Sequence, residues 1–437
     1  MKGGQKMYRS LVSPYIAQIE ITDRCPNKCV HCYNYWRHSA YSSDGGSNMS
    51  IDCADSIMEE IEKNNIFCIV ITGGEPLLNK QVMYRMLDFT EKSNLITANI
   101  NTSLIGLTEE DVIKLRTYKK LTGILTSLTS CNPETHDQIV GYKEAFKKTV
   151  SGIKLLVKAG IQISINMVVS KLNYEHINET GRLAKELGVK VFNVTRAVRP
   201  MNCPDFSQYA LSPEEIKRCI SDLSGVKLQY QIQVGSLGVC PLCLVEDADR
   251  HAVIAGKRCS AGVTVVAISS VGDVRTCTHI DTSYGNLSVD SLKTIWRRMT
   301  DWRDGSLIPL RCKKCKALPF CGGGCRAEAM VSNGSYNSED TLMAFENVEN
   351  AIELVIKPII KNDNPLPERV RVNKEIRWRK EEFGSSVFMR NHYIGMLDEH
   401  ATEFLLSGTQ NEIETDVIVN ELGLGVVREL LEKKIIT

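Results

Sequence analysis

The stretch "YIAQIEITDRCPNKCVHC", residues 15–32, opens as an apolar, β-branched run and closes on cysteines at 25, 29 and 32. It reads as a strand that ends at a chemical site. The spacing is C-x3-C-x2-C, and no fourth cysteine stands nearby. Iron–sulfur clusters are usually held by four cysteine thiolates. Three ligands on a four-iron cluster leave one iron open, by the logic that keeps a catalytic zinc site incomplete. A zinc site borrowing a distant ligand, or three unrelated thiols, are the other readings of the spacing alone.

Working outward, the pattern of that first strand recurs roughly every thirty residues from about residue 15 to 200. The apolar runs are "YIAQIEIT", "FCIVITGG", "ITANINTS", "GILTSLTS", "IQISINMVVS" and "VKVFNVTRAV". Between them lie amphipathic stretches such as "YKEAFKKTVSGIKLLVKAG", with apolar residues three and four apart. Six β/α alternations predict an α/β fold with a parallel sheet and outer helices. Six units rather than eight predict a partial (β/α)6 TIM barrel, laterally open, with ligands at the C-terminal strand ends. The cysteines follow strand one and "TGGEP" (72–76) follows strand two, so both fall at that mouth.

Composition limits the alternatives. A chain of 437 residues can bury a large core and should form two or three domains. It has no apolar run long enough for a transmembrane helix, and its start lacks the apolar core of a signal peptide, so no membrane partner is expected. A net charge of +1 argues against a globally basic nucleic-acid binder. Sixteen cysteines without a secretion signal point to metal or redox chemistry in a reducing, cytoplasmic setting. Cys53, Cys68, Cys131, Cys203 and Cys219 lie alone in apolar or helical contexts and read as buried thiols. The others come in spaced groups.

From about 230 to 345 glycine, cysteine and short strands dominate, and "KNDNPLPER" (361–369) reads as a linker. Beyond it, "RVRVNKEIRWRK" and "SSVFMRNHYIGMLD" read as strands. "EHATEFLLS", "EIETDVIVNEL" and "GVVRELLEKKI" read as helices, giving a small winged-helix-like module. The expected division is an N-terminal extension (1–14), the partial barrel (15–225), a cysteine-rich domain (226–360), the linker (361–369) and the module (370–437).

The cysteine spacing, with His31 just before the third cysteine and "TGGEP" after the next strand, resembles the radical S-adenosylmethionine (SAM) superfamily. The resemblance implies that Cys25, Cys29 and Cys32 hold a [4Fe–4S] cluster whose open iron binds SAM, and that one electron cleaves SAM to a hydrogen-abstracting 5′-deoxyadenosyl radical. That electron would come from a flavodoxin- or ferredoxin-type partner. Gly73 and Gly74 would let backbone groups approach the SAM amino group because no Cβ intervenes. Glu75 and Pro76 would fix the turn. "SLTSCNPETHDQIVG" (127–141) is similar to the fourth-strand segment of the family, with Thr129 and Val140 in place of its aspartate and arginine. Ser127 and Asn166 are candidate SAM contacts.

Cys259, Gly272-x4-Cys277 and Cys312-x2-Cys315-x5-Cys321-x3-Cys325 resemble the SPASM extension, which carries two auxiliary [4Fe–4S] clusters. By position, Cys259, Cys277 and Cys325 would hold cluster I, completed by Cys240 or Cys243. Cys312, Cys315 and Cys321 would hold cluster II, which needs one more cysteine after Cys325. None follows, and the expectation is an oxygen ligand from Asp340, with Met343 or an open iron as alternatives. An all-cysteine cluster II would require Cys240 or Cys243 to reach it. Residues from about 366 resemble the leader-binding recognition element of enzymes that modify ribosomal peptides, with the leader expected along a strand edge near "SSVFMRN". DNA binding is the rival for that module, but its middle helix carries no Lys or Arg to meet phosphates. The implied function is a peptide maturase that binds a precursor by its leader and installs oxidative cross-links, thioether preferred. Cofactor biosynthesis, peptide epimerisation and redox-sensing regulation are the alternatives.

Overall fold

A computed structural model describes residues 10–34, 46–201, 203–245, 257–344, 365–389, 392–408 and 412–437. Most of the expected N-terminal extension, residues 345–360 of the cysteine-rich domain and residues 361–364 of the linker lie outside these residues. The chain divides into two compact units. One is built on Ser13–Ile356, and the other on Lys357–Thr437 with Arg9–Val12.

In the first unit seven strands follow one another in one sheet. They are β1 (Ile16–Glu20), β2 (Cys68–Thr72), β3 (Thr97–Asn101), β4 (Leu121–Ser127), β5 (Ile163–Val169), β6 (Val191–Arg196) and β7 (Gln233–Gly235), each parallel to the next. The helices between them include α1 (Ile51–Lys63), α2 (Lys80–Lys92), α3 (Glu109–Leu115), α4 (Pro133–Val140), α5 (Ala145–Lys158), α6 (Ile177–Glu186) and α7 (Pro213–Tyr230). Ser50 caps α1 by accepting from the Cys53 amide, and Ser212 and Glu215 form a reciprocal box at the start of α7.

Alternation along each strand decides which face is core. On β5, Ile163, Ile165, Met167 and Val169 are buried, whereas Ser164, Asn166 and Val168 are half-buried. Each buried aliphatic contributes roughly 1.5–3 kcal/mol, which fixes the register. A slip of one residue would present the polar set to the helices. The polar set therefore lines the open inner face.

The sheet extends beyond the six expected strands. Besides β7, a second edge is built by β8 (Val265–Ile268), parallel to β1, followed by antiparallel β9 (Asp273–Arg275) and β10 (Gly285–Asn286). The cysteine-rich region thus continues the barrel sheet from the β1 side. Among the described residues no helix is long and apolar enough to cross a membrane.

In the second unit Ile376–Glu381, Gly384–Met389 and His392–Asp398 form an antiparallel three-stranded sheet. Helices Glu399–Ser407, Thr415–Leu422 and Leu424–Glu432 supply Leu405, Ile418, Val427 and Leu430 to a core with Val387. The expected leader edge is corrected here. Gly384–Met389 is the central strand, hydrogen-bonded on both sides, and Ile376–Glu381 and His392–Asp398 are the outer strands of this sheet. Arg390 and Asn391 of that expected edge lie outside the described residues.

Candidate functional site

The first cysteine loop is held by backbone on two sides. Lys28 and Val30 donate to Val140 O (2.8 Å) and Ile139 O (3.0 Å), docking the loop on the end of α4. The Cys32 amide donates to Cys29 O at 3.1 Å, closing a tight turn between these two cysteines. On the other side Gly74 and Glu75 donate to Thr22 O (2.6 Å) and Arg24 O (2.8 Å). This contact explains the glycines and revises the reason expected for them. Gly73 has φ +131°, and a Cβ there would stand 2.4 Å from Thr22 O. A Cβ on Gly74 would stand 2.1 Å from Arg24 O. The space is filled by the backbone of the cysteine loop itself.

Glu75 is buried, and each of its oxygens accepts two donors. Thr102 Oγ1 (2.6 Å) and the Leu77 amide (3.0 Å) reach Oε1, while Ser103 Oγ (2.6 Å) and the Ser103 amide (2.7 Å) reach Oε2. Burial raises its pKa, and these hydrogen bonds oppose the rise. Glu75 thus ties the loop after β2 to the end of β3, and Pro76 opens the short turn Pro76–Asn79. Ser127 and Asn166 face each other in the β4–β5 register, and Thr195 Oγ1 donates to Asn166 Oδ1 at 2.8 Å.

Several buried polar atoms near this loop have no hydrogen-bond partner among the described residues. They are Glu20 Oε1, Asn27 Oδ1, His31 Nδ1 and Asn34 Oδ1. An unpaired buried polar atom costs about 1–3 kcal/mol. Three of the four can only accept, so the set fits a ligand rich in donors, such as an amino-acid ammonium or a ribose. Three thiols beside acceptors of this kind fit a [4Fe–4S] cluster with SAM.

Composition and spacing did not single out the residues that join this loop to the cysteine-rich region. Tyr33 stacks on His279, with ring centroids 4.6 Å apart and planes 15° apart. Glu20, at the end of β1, pairs with Arg275 of β9, and Arg275 also donates to Ile280 O at 2.8 Å. Burial raises the Glu20 carboxyl while Arg275 opposes the rise. The pair clamps the loop carrying Cys277 and His279 against the first strand. The one signal was an acid inside the apolar run "QIEIT".

The later cysteines form two sets. Cys243, Cys312, Cys315 and Cys321 line one cavity with Met343. Cys259 lies within electrostatic reach of both Cys277 and Cys325. Burial, reinforced by neighbouring thiols, pushes Cys243 and Cys277 up to about 11 and Cys312 and Cys325 up to about 12. Cys240, also pushed up to about 12 by burial, sits by Arg196 and Asp340. Among the described residues no three His, Cys, Asp or Glu side chains converge as on a single ion.

Asp340 is not the free oxygen ligand that its position in the sequence implied. Its Oδ1 accepts from Arg196 Nη1 (2.9 Å) and the Leu342 amide (3.0 Å). Its Oδ2 accepts from Arg196 Nη2 (2.5 Å) and the Cys325 amide (2.7 Å). Four donors use all four lone-pair positions of the carboxylate. Asp340 is a buried counter-charge that ties β6 to the Cys325 turn.

Known proteins share this arrangement. The radical SAM superfamily model matches residues 19–184, and the model of the SPASM iron–sulfur cluster-binding domain matches residues 259–325. The chain belongs to the radical SAM superfamily and carries a SPASM domain. The AdoMet-dependent heme synthase of Methanosarcina barkeri is 28% identical over 343 residues, 75% of this chain and 95% of that protein. The antilisterial bacteriocin subtilosin biosynthesis protein AlbA of Bacillus subtilis is 26% identical over 357 residues, 78% of this chain and 74% of that protein. Streptococcus suis SuiB, solved with its precursor peptide SuiA, superimposes with a TM-score of 0.61 at 18% identity, covering 75% of each chain. That last likeness is one of fold.

Proposed function

We propose that this radical SAM/SPASM enzyme binds a ribosomally made precursor peptide by its leader and installs oxidative cross-links in it. The observation that supports the reading is the second unit itself, a three-stranded antiparallel sheet packed on three helices, as a peptide-binding module would need. Peptides are commonly recognised by adding a strand to a small sheet of this kind. About a quarter of this chain has no counterpart in the heme synthase relative, which leaves room for such a module.

Cys25, Cys29 and Cys32 would hold the first [4Fe–4S] cluster, with Gly73, Gly74, Glu75, Pro76, Ser127 and Asn166 shaping the SAM side. Bound there, cluster and SAM would supply one-electron cleavage to a hydrogen-abstracting 5′-deoxyadenosyl radical. The chain's own part is to hold these loops rigid and to keep water out, through the Glu75 anchor and the Glu20–Arg275 clamp. Cys259, Cys277 and Cys325 would hold cluster I. Thioether formation remains the preferred cross-link.

The test is an anaerobic reaction with SAM, a flavodoxin-type reductant and a candidate precursor. The expected product is lighter by two hydrogens per link. Unchanged mass with an inverted α-carbon would instead make the chain an epimerase. The second reading, haem-type cofactor synthesis, is favoured by the heme synthase relative. Removing residues 366–437 separates the two, since a peptide maturase loses precursor affinity whereas a small-molecule enzyme keeps turnover.

A further inference from the structure

Cluster II lacks a ligand by sequence order, because no cysteine follows Cys325. We propose that Cys243, upstream of the matched SPASM residues, is its fourth thiolate, so that this cluster is coordinatively complete. The proposal rests on SPASM membership and not on the identity of the substrate.

Three observations meet on Cys243. It lines the same cavity as Cys312, Cys315 and Cys321. Its thiol lies within electrostatic reach of Cys321 and Cys315, and that of Cys312 within reach of Cys243. The turn Leu242–Leu244 also points its amide at the set, with the Leu242 N–H donating to Cys321 Sγ at 3.5 Å. Such N–H bonds to cluster sulfurs tune reduction potential.

The rivals are weaker on chemistry or on geometry. Asp340 has all four lone-pair positions engaged. Met343 lines the cavity, with its Sδ 3.8 Å from Cys312 Sγ, but a thioether carries no charge to balance iron. Cys240 feels Cys321 and Cys243 too, but less strongly than Arg196 and Asp340, and it lines a different cavity, shared with Arg196. With Cys243 in place, cluster II can pass electrons but offers no vacancy to a substrate thiolate.

The test uses the full chain with Cys25, Cys29 and Cys32 changed to Ala, leaving only the auxiliary clusters, about eight irons per chain. After anaerobic reconstitution, Cys243→Ala should lose about half of that iron and sulfide, or gain a cyanide-responsive EPR signal absent from the parent. Cys243→Ser, which keeps an oxygen donor, should hold its iron but shift the EPR signal, and this guards against simple misfolding. Met343→Leu should match the parent. The proposal is overturned if both Cys243 variants match the parent in iron, sulfide and EPR. It is equally overturned if Cys240→Ala or Met343→Leu, and not Cys243→Ala, produces the change.

Discussion

At the scale of single residues, the glycine pair is the sharpest constraint. Gly74→Ala forces a Cβ to within 2.1 Å of Arg24 O, a backbone atom that cannot swing aside. The variant should lose SAM cleavage and iron at the first site together, measured as deoxyadenosine release and iron content. Gly225, inside α7, has no heavy atom within 4 Å of the position its Cβ would take. Gly225→Ala should therefore stabilise the chain by about 0.5–1 kcal/mol, seen as a raised thermal midpoint. Asp340→Asn leaves the Arg196 guanidinium buried and poorly paired, which should cost about 3–5 kcal/mol. Any of that variant that still folds should keep its full iron content, and loss of four irons from folded protein would mean that Asp340 is a ligand after all.

Among the elements, the end of β4 and the start of α4 form a polar pin. His136 Nδ1 lies 3.0 Å from Thr129 Oγ1 and accepts from the Thr129 amide at 3.1 Å, and Asn173 Nδ2 donates to Thr129 O at 2.7 Å. Burial lowers the pKa of His136 from 6.5 to about 4. The unfolded chain therefore binds more protons between these values, and stability rises with pH across that window. The contribution is present above 6.5, is lost as pH falls toward 4, and is on the order of 3 kcal/mol. The difference in thermal midpoint between the parent and His136→Gln should narrow as pH drops from 7 to 4. Legibility from sequence also divides at this scale. Runs such as "IQISINMVVS" name their strand because alternation records which face is buried. β7 has three residues, too few to show a period, and the pairing of β8 with β1 is a tertiary choice with no local trace.

For the whole molecule, chemistry written into short spacings was readable and chemistry assembled by the fold was not. C-x3-C-x2-C and "TGGEP" carried the first site. Cys243 joins cysteines that lie far along the chain, and Asp340 could not be known to be engaged before Arg196 was brought to it. The central position of Gly384–Met389 likewise needed the pairing on both sides.

The central claim is that three thiolates on one loop leave an iron open for SAM. Its most direct test is to reconstitute the chain anaerobically, reduce it with SAM present, and quantify 5′-deoxyadenosine and methionine. The account predicts both products in equal amounts, and neither from Cys29→Ala. Zinc bound by Cys25, Cys29 and Cys32, or reduced iron-loaded protein that releases no deoxyadenosine, would contradict it.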